Sequence, residues 1–181
     1  MSTGYQIDDQ HGLYFLTFTV VDWVDIFSRK SYRDIVIDSF NYCVKEKGLN
    51  IFGYVIMTNH VHLIAQSKTG QLSDTIRDMK KYTSRLILET LTTKPESRRE
   101  WLLHRFRWNA QQHERSFNYQ VWTHENHAVS IFSEQFFRQK LEYIHQKPVR
   151  AGWVEREEDY VYSSAKALFT NSKGMVELSY W

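Results

Sequence analysis

Some stretches of the chain are rich in β-branched and aromatic residues, whereas others have apolar residues at helical spacing. The order of these stretches predicts the order of strands and helices. Runs rich in β-branched and aromatic residues predict strands at residues 14–21, 50–57 and 60–65. The two-residue turn at 58–59 joins the last two as a hairpin. Apolar residues at helical spacing predict helices at residues 31–47, 72–91 and 133–146, and residues 98–112 are expected to form a further short basic helix. Two shorter strands are predicted at residues 119–122 and 128–131.

Three residues predict where helices begin or end. Ser133 is a suitable N-cap for the last helix, Gly48 follows the first helix, and Pro148 is expected to end the last one. The order β-α-β-β-α-insert-β-α predicts an α+β fold of ferredoxin-like or RRM-like character, with an antiparallel sheet and helices packed on one face. We expect a single domain over residues 1–181, with a core at about 14–168, a basic aromatic insert at about 92–120 and a C-terminal tail at 170–181.

Composition narrows the classes of protein to which the chain can belong. The 181 residues are 42% hydrophobic and 24% charged, which is typical of a globular domain rather than a disordered chain. A single cysteine, Cys43, excludes a disulfide scaffold and a cysteine-rich zinc site. The sequence has no signal peptide, no segment apolar enough to span a bilayer and no Gly-rich phosphate loop. We therefore expect a cytoplasmic protein with no membrane partner and no nucleotide cofactor.

Positive charge is concentrated in the middle of the chain, although the net charge is only +2. Residues 68–122 contain 11 Lys and Arg against 6 Asp and Glu, whereas the rest of the chain has 12 against 15. The same stretch contains several aromatic residues, among them Trp101 and Trp108. Basic side chains can follow a phosphate backbone and aromatic rings can stack on unpaired bases, so this stretch is a candidate nucleic-acid surface. A solvated helix whose aromatic residues belong to the core is the alternative.

A His-Val-His strand is the sharpest local motif of the sequence. Side chains of a strand alternate between its two faces, so His60 and His62 share a face while Val61 points to the other. Two imidazoles on a rigid strand can supply the first two ligands of a divalent-metal site. The alternative is that they are two surface histidines with no metal-binding role. A histidine-triad hydrolase needs a third alternate histidine, but that position is Ile64. The His-Glu-x-x-His motif of zinc proteases is absent from the sequence.

A tyrosine in the last predicted helix is a candidate nucleophile. Phe137, Leu141 and Ile144 form a buried stripe at helical spacing, and Tyr143 lies at the edge of that stripe among charged and polar residues. Packing alone is the alternative role for such a tyrosine. A phenol needs a nearby cation to become a competent phenolate. A metal held by the two histidines on the facing sheet would supply that cation and polarise a phosphodiester.

These two motifs resemble those of the single-tyrosine HUH transposases, in particular the branch of REP-associated tyrosine transposases. The segment YVIMTNHVHLIAQ at residues 54–66 carries the His-hydrophobic-His element. The segment FFRQKLEYIHQKPVRAGWV at 136–154 is similar to the tyrosine helix of the family. Weaker matches follow the family order at 16–23, 78–87, 121–137 and 159–168, so the resemblance covers most of the chain.

The resemblance implies a function for this HUH transposase-like domain. It would be a metal-dependent endonuclease and strand transferase that acts, as a monomer or a homodimer, on palindromic hairpins of single-stranded DNA. His60 and His62 would bind Mg²⁺ or Mn²⁺. Tyr143 would attack the scissile phosphate, form a 5′-phosphotyrosine and release a 3′-hydroxyl. Two alternatives are a relative that grips DNA hairpins with weakened or lost cleavage and an unrelated RRM-like RNA-binding protein.

Basic residues near these motifs then become candidate DNA contacts. Arg77, Lys81 and Arg85 recur every four residues, so they share one face of a predicted helix. A merely solvated face is the alternative for this helix. The candidate DNA contacts are Arg77, Lys80, Lys81, Arg85, Arg105, Arg107, Lys147 and Arg150.

One departure from the family pattern concerns the metal site. Family members usually have Asn or Gln one turn after the tyrosine, as an oxygen ligand, but this chain has Lys147, and an ammonium cannot ligate a metal. The ligand is then Gln146 or, less favourably, His145; or Lys147 contacts the phosphate directly; or the protein binds DNA without cleaving it. We favour retained metal-dependent chemistry, because both histidines and the tyrosine are present.

Overall fold

A four-stranded antiparallel sheet forms the centre of the computed structural model, which describes residues 6–112 and 118–180. The strands are β1 (Tyr14–Thr19), β2 (Leu49–Ile56), β3 (His60–Ser67) and β4 (Val129–Ser130), in the order β2-β3-β1-β4. The helices are α1 (Lys30–Glu46), α2 (Leu72–Thr93), α3 (Arg99–Gln112), α4 (Glu134–Arg150) and α5 (Ala165–Thr170). This arrangement confirms the predicted α+β fold class.

Parts of the predicted domain lie outside the described residues. These are residues 1–5, residues 113–117 of the basic aromatic insert, and residue 181 at the end of the tail. The described part of the insert contains α3, close to the predicted bounds, while the division into core, insert and tail stays a prediction. None of the helices in the described ranges combines the length and the apolar character that a membrane span requires.

Helices cover both faces of the sheet. On one face, Tyr54 contacts a phenylalanine of α1 and Phe18 lies beneath α2, which matches the predicted one-sided packing. The predicted restriction to one face does not hold for α4, which crosses the opposite face against β2. A Cβ atom on Gly53 would lie 2.5 Å from Leu141 Cδ1, so the missing side chain permits this close approach. Apolar periodicity shows that a helix has a buried face but does not show which face of the sheet it covers.

The segment predicted as a strand at residues 119–122 does not form a strand. Trp122 makes only an isolated bridge to Val20, and its indole N–H donates to Thr83 Oγ1 at 3.0 Å. The segment is therefore held by this short bridge, in which the Thr123 N–H donates to the Thr19 carbonyl, and by packing of the indole on α2. A short apolar run does not distinguish a bridge from a longer ladder. The predicted strand at 128–131 is present as the two-residue β4.

The last helix begins where predicted but ends later. The Ser133 hydroxyl caps it by accepting a hydrogen bond from the N–H of Phe136 at 3.2 Å. The prediction that Pro148 ends the helix is wrong, because the missing N–H of a proline removes one helical hydrogen bond but not the bonds that follow it. The Lys147 carbonyl still accepts a hydrogen bond of 3.0 Å from the next turn. Tyr143 and Lys147 consequently lie one turn apart on one continuous helix.

The C-terminal tail docks beside the edge strand β2. The N–H of Ser179 donates to the Ile51 carbonyl at 2.7 Å, and Asn41 of α1 donates to the Met175 carbonyl at 2.9 Å. Val176 is buried between these two contacts. Pairing along an edge strand occupies backbone groups that would otherwise invite association with another chain.

Candidate active site

Strand β3 presents both of its histidines to the face covered by α4. In the antiparallel register, Thr17 of β1 lies opposite His62 and Thr19 lies opposite His60. His62 is buried and His60 is half-buried. Their ring centroids are 4.8 Å apart, so the two imidazoles form one cluster on this face, as the strand alternation predicts.

Hydrogen bonds orient the two imidazole rings. His60 Nδ1 donates to Asn59 Oδ1 at 2.7 Å, which leaves the lone pair of this ring on Nε2. His62 Nδ1 shares a hydrogen bond of 2.9 Å with the Thr17 hydroxyl. His62 Nε2 is buried and has no hydrogen-bond partner among the described residues. An unpaired buried polar atom costs about 1–3 kcal/mol, so this nitrogen indicates a place for a ligand.

Burial keeps both histidines neutral at physiological pH. Burial, followed by the nearby ammonium of Lys147, lowers the pKa of His60 to about 4. Burial lowers the pKa of His62 to about 2, with smaller contributions from His60, Lys147 and Lys140. Neutral rings do not repel each other, and each has one donor and one acceptor nitrogen.

Helix α4 places Tyr143 next to this pair of histidines. The centroid of its ring lies 5.5 Å from that of His62 and 6.0 Å from that of Phe15. Tyr143 is 37% exposed, so a ligand in solvent can reach it. The structure therefore brings together the three residues His60, His62 and Tyr143 that the sequence singles out. We call them, with Lys140 and Lys147, the tyrosine site.

Two lysines of α4 flank the tyrosine. Lys147 Nζ lies 5.2 Å from the centroid of the Tyr143 ring and donates to His60 Nε2 at 3.1 Å. Lys140 Nζ lies 5.8 Å from the same centroid and 4.8 Å from that of Phe15. Together they favour an anion such as a phosphodiester at the phenol. Sequence reasoning missed Lys140, although its position three residues before Tyr143 places it one helical turn away.

The described residues do not complete a divalent-metal site at the histidines. Gln146, the predicted alternative ligand, donates its side-chain amide to Glu157. Lys147 instead occupies the Nε2 atom of His60. Within residues 6–112 and 118–180, no group of three His, Cys, Asp or Glu side chains is arranged to hold a metal ion. The Mg²⁺ or Mn²⁺ ion stays a prediction that this donor set does not fit.

The basic stripe of α2 lies on the opposite side of the sheet from Tyr143. Arg77 is paired with two aspartates of its own helix, while Lys81 and Arg85 are exposed. The structure does not bring these side chains to the tyrosine site, because α2 and α4 cover different faces. Their role as DNA contacts stays a prediction for a separate surface.

Lys80 has a structural role that the sequence did not indicate. Its ammonium donates to the Thr123 carbonyl and to Asn126 Oδ1, each at 2.7 Å. Burial lowers the pKa of Lys80 to about 8. The side chain thus anchors the segment before β4 and is not available as an exposed DNA contact.

This role predicts different stability effects for two adjacent lysines. We expect Lys80→Met to lower the free energy of unfolding by about 2 kcal/mol, because part-buried acceptors lose their donor. The exposed Lys81→Met is the matched control and should change it by less than about 0.5 kcal/mol. Urea unfolding at neutral pH measures both, and equal losses would contradict the anchoring role.

The three remaining candidate DNA contacts each have different neighbours in the structure. Arg105 pairs with Asp22, and Arg107 donates to the Tyr119 hydroxyl at 2.7 Å. Arg150 is exposed at the end of α4, one turn beyond the tyrosine site. Their role in DNA binding stays a prediction, but Arg105 also fixes the turn described next.

An exposed tryptophan, which sequence reasoning missed, lies beside His60. Trp23 is 65% exposed, and its ring centroid is 6.1 Å from that of His60. Asp22 and Trp23 both have a φ of 54°, a costly left-handed conformation for residues other than Gly. Two side chains of α3 bond to the Asp22 carboxylate, and Asn59 donates to the Trp23 carbonyl at 3.3 Å. This strained turn is therefore held by α3 and by the turn before β3, and no local sequence motif predicts it.

A comparison with protein families decides the class to which this site belongs. Residues 13–147 match the profile of a family described as "Transposase IS200 like". The chain belongs to the IS200-like transposase family. The matched region contains the whole tyrosine site, and it confirms the resemblance found in the motifs. Membership assigns the protein to a class of DNA-processing enzymes.

A solved structure has the same fold as this IS200-like transposase. It is a REP-associated tyrosine transposase bound to a REP hairpin, with 16% sequence identity and a TM-score of 0.61. The alignment covers 99% of this chain and 93% of that chain. At this identity the likeness shows the fold, while function has to be argued from the site. No curated protein matches the chain.

Proposed function

We propose that this IS200-like transposase cleaves and rejoins single-stranded DNA at hairpins, with Tyr143 as the nucleophile. The observation that carries the proposal is the accessible phenol of Tyr143, whose ring lies 5.5 Å from that of buried His62 and 5.2 and 5.8 Å from two ammonium groups. Its neighbours are those that a phenol needs to attack a phosphodiester: cations for the negative charge and neutral polar groups for the phosphate oxygens.

The reaction exchanges one phosphate ester for another. The phenol oxygen forms a bond to phosphorus, and the bond between phosphorus and the 3′-oxygen breaks. The products are a 5′-phosphotyrosine and a 3′-hydroxyl; solvent takes the phenolic proton and supplies one to the 3′-oxygen. Because an ester bond is kept throughout, a 3′-hydroxyl can attack the phosphotyrosine and rejoin the strands without a nucleotide cofactor.

A DNA hairpin with a single-stranded flank is the substrate that we propose. The solved structure with the same fold is a REP-associated tyrosine transposase bound to a REP hairpin. Exposed aromatic rings near the tyrosine site support the single-stranded part. Phe132 is 82% exposed and stacks on Phe136, with the two ring centroids 5.4 Å apart. Lys140 Nζ lies 5.2 Å from the centroid of the Phe136 ring. Together with Trp23 near His60, these rings offer stacking surfaces for unpaired bases on both sides of the lysines.

Trp23 gives a direct test of base stacking. We expect Trp23→Ala to weaken binding of a hairpin with a single-stranded flank by about tenfold, because one stacked base contributes about 1–3 kcal/mol. Tyr42→Ala is the matched control, since Tyr42 is equally an exposed aromatic residue but lies on α1, across the sheet. Fluorescence anisotropy measures both affinities. An equal loss in the two variants would remove Trp23 from the DNA-binding surface.

A denaturing gel tests the proposed reaction. Hairpins drawn from palindromes near the gene are labelled at either end and incubated with the protein, with and without Mg²⁺ or Mn²⁺. The 3′-end label should migrate in a slow covalent band, because the 5′-phosphotyrosine holds the 3′ fragment. The 5′-end label should migrate as a shorter strand with a free 3′-hydroxyl. Tight binding without any covalent band, across metals and hairpins, would refute the cleavage function.

Binding without cleavage is the second candidate function. The observation that favours it is the hydrogen bond between Lys147 and His60, which occupies an imidazole nitrogen that a metal ligand set needs. In that case the protein binds DNA hairpins through the tyrosine site but does not cleave the DNA strand.

A further inference from the structure

The ammonium of Lys147 occupies the middle of the tyrosine site. It donates to His60 Nε2 at 3.1 Å and lies 5.2 Å from the centroid of the Tyr143 ring. His60 can offer this lone pair because its other nitrogen donates its proton to Asn59. A metal ion at His60 would need the same lone pair, so the lysine and a metal compete for one atom.

The unpaired nitrogen of His62 belongs to the same cluster of rings as His60 and Tyr143. Its Nε2 atom is buried without a partner among the described residues, and its ring lies 4.8 Å from that of His60. The Thr17 hydroxyl can donate to His62 Nδ1, which places the ring proton on Nε2. This N–H then adds a second donor beside His60, to which Lys147 is bonded, and two donors suit the two non-bridging oxygens of a phosphodiester.

The charges around the histidines disfavour a divalent ion. The ammonium groups of Lys140 and Lys147 lie 5.8 and 5.2 Å from the centroid of the Tyr143 ring, so they would repel a divalent cation bound there. Within the described ranges, no arrangement of three His, Cys, Asp or Glu side chains compensates for them. An anion has the opposite preference and is attracted by both lysines.

We propose that Lys147 is a resident cation that takes the place of a divalent metal, so that the protein holds the scissile phosphate without one. This inference rests on the proposed function and names the groups that hold its substrate. His60 orients the ammonium of Lys147, which binds one non-bridging oxygen. His62 Nε2–H, which is buried in the free protein, donates to the other once the bound phosphate displaces the side chains that cover it. Tyr143 then makes the bond to phosphorus described above, and the transfer needs no further reactant because the lysine only neutralises charge.

Binding of Mn²⁺ alone separates a lysine site from a metal site without a cleavage assay. We expect wild-type protein to bind no Mn²⁺ at millimolar concentration, followed by electron paramagnetic resonance of the free ion. Lys147→Gln should gain one site, because an amide oxygen replaces the ammonium beside the two imidazoles. Stoichiometric binding of Mn²⁺ by the wild type that His60→Ala removes would overturn the inference.

Hairpin affinity in EDTA is the second readout, measured in a Tyr143→Phe background so that cleavage does not interfere. Affinity with Lys147 present should be the same in EDTA and in Mn²⁺. Lys147→Met, which removes the ammonium and offers no ligand, should lose about tenfold in both conditions. Lys147→Gln should lose affinity in EDTA and recover it in Mn²⁺. A protein that retains Lys147 but binds hairpins only with Mn²⁺ would contradict the proposal.

Lys140→Gln is the matched control for these variants. This variant removes the other ammonium near Tyr143. Lys140 lies seven residues before Lys147 on α4, and it is Lys147 that donates to His60 Nε2. We expect weaker hairpin binding that stays independent of Mn²⁺. Thermal unfolding of each variant, compared with the wild type, shows that the fold is retained.

The inference and the proposed function fail in different ways. If the protein binds hairpins in EDTA through Lys147 but never forms a covalent adduct, the cleavage function fails and the resident cation stands. If the adduct forms only in the presence of Mn²⁺, the cleavage function stands and the resident cation fails.

Discussion

A Tyr143→Phe variant is expected to form no covalent adduct with hairpin DNA while binding the same hairpin almost as tightly as the wild type. Only the phenol oxygen of Tyr143 can make the bond to phosphorus, whereas the phenyl ring keeps its contacts with His62 and Phe15. The amount of adduct on a denaturing gel should fall by at least about 1,000-fold, since the variant removes the reacting atom itself.

The matched control for this variant is Tyr82→Phe. Tyr82 is 45% exposed on α2, across the sheet, so loss of its hydroxyl should leave the adduct unchanged. Adduct formation by Tyr143→Phe would place the nucleophile elsewhere. Loss of hairpin binding along with the adduct would show that Tyr143 contributes to binding and not to the chemical step alone.

Protein stability is expected to fall steeply as the pH is lowered from 7 to 4, and buried His145 is a main cause. Its Nε2 atom shares a hydrogen bond of 2.8 Å with the Ser164 hydroxyl, and burial lowers the pKa of His145 to about 4. The unfolded chain, with an ordinary histidine pKa of about 6.5, takes up the proton first, so acid favours unfolding. The stabilising effect is complete above pH 6.5 and is lost between 6.5 and the folded pKa of about 4.

The magnitude follows from the two pKa values of His145. At pH 5 this histidine alone should lower the free energy of unfolding by about 2 kcal/mol relative to pH 7. The lowered pKa values of His60 and His62 act in the same direction, and His60 has less effect because that side chain is only half-buried.

Urea unfolding at pH 7 and pH 5 measures this effect. His145→Gln should remove about 2 kcal/mol of the difference between the two pH values, since glutamine does not titrate. His104→Gln makes the same change at an exposed position of α3 and serves as the control. A pH dependence in His145→Gln equal to that of the wild type would assign the acid sensitivity to other groups.

Local pattern alone determined the main elements and the residues of the candidate chemistry. The alternation of a strand has a fixed period of two, so His60 and His62 had to share a face wherever β3 lay in the sheet. The apolar stripe of α4 likewise predicted a helix that carries Tyr143 at its margin. The motifs around these three residues also led to the family that the comparison confirms.

Only the tertiary structure decided what these residues contact. Helix α4 crosses the histidine face because Gly53 admits it there, and this crossing brings Lys147 to His60. The same packing puts the basic stripe of α2 on the far side of the sheet and turns Lys80 into an internal anchor. Periodicity depends on neighbours a few residues apart, whereas these contacts join distant segments whose meeting depends on how whole elements pack.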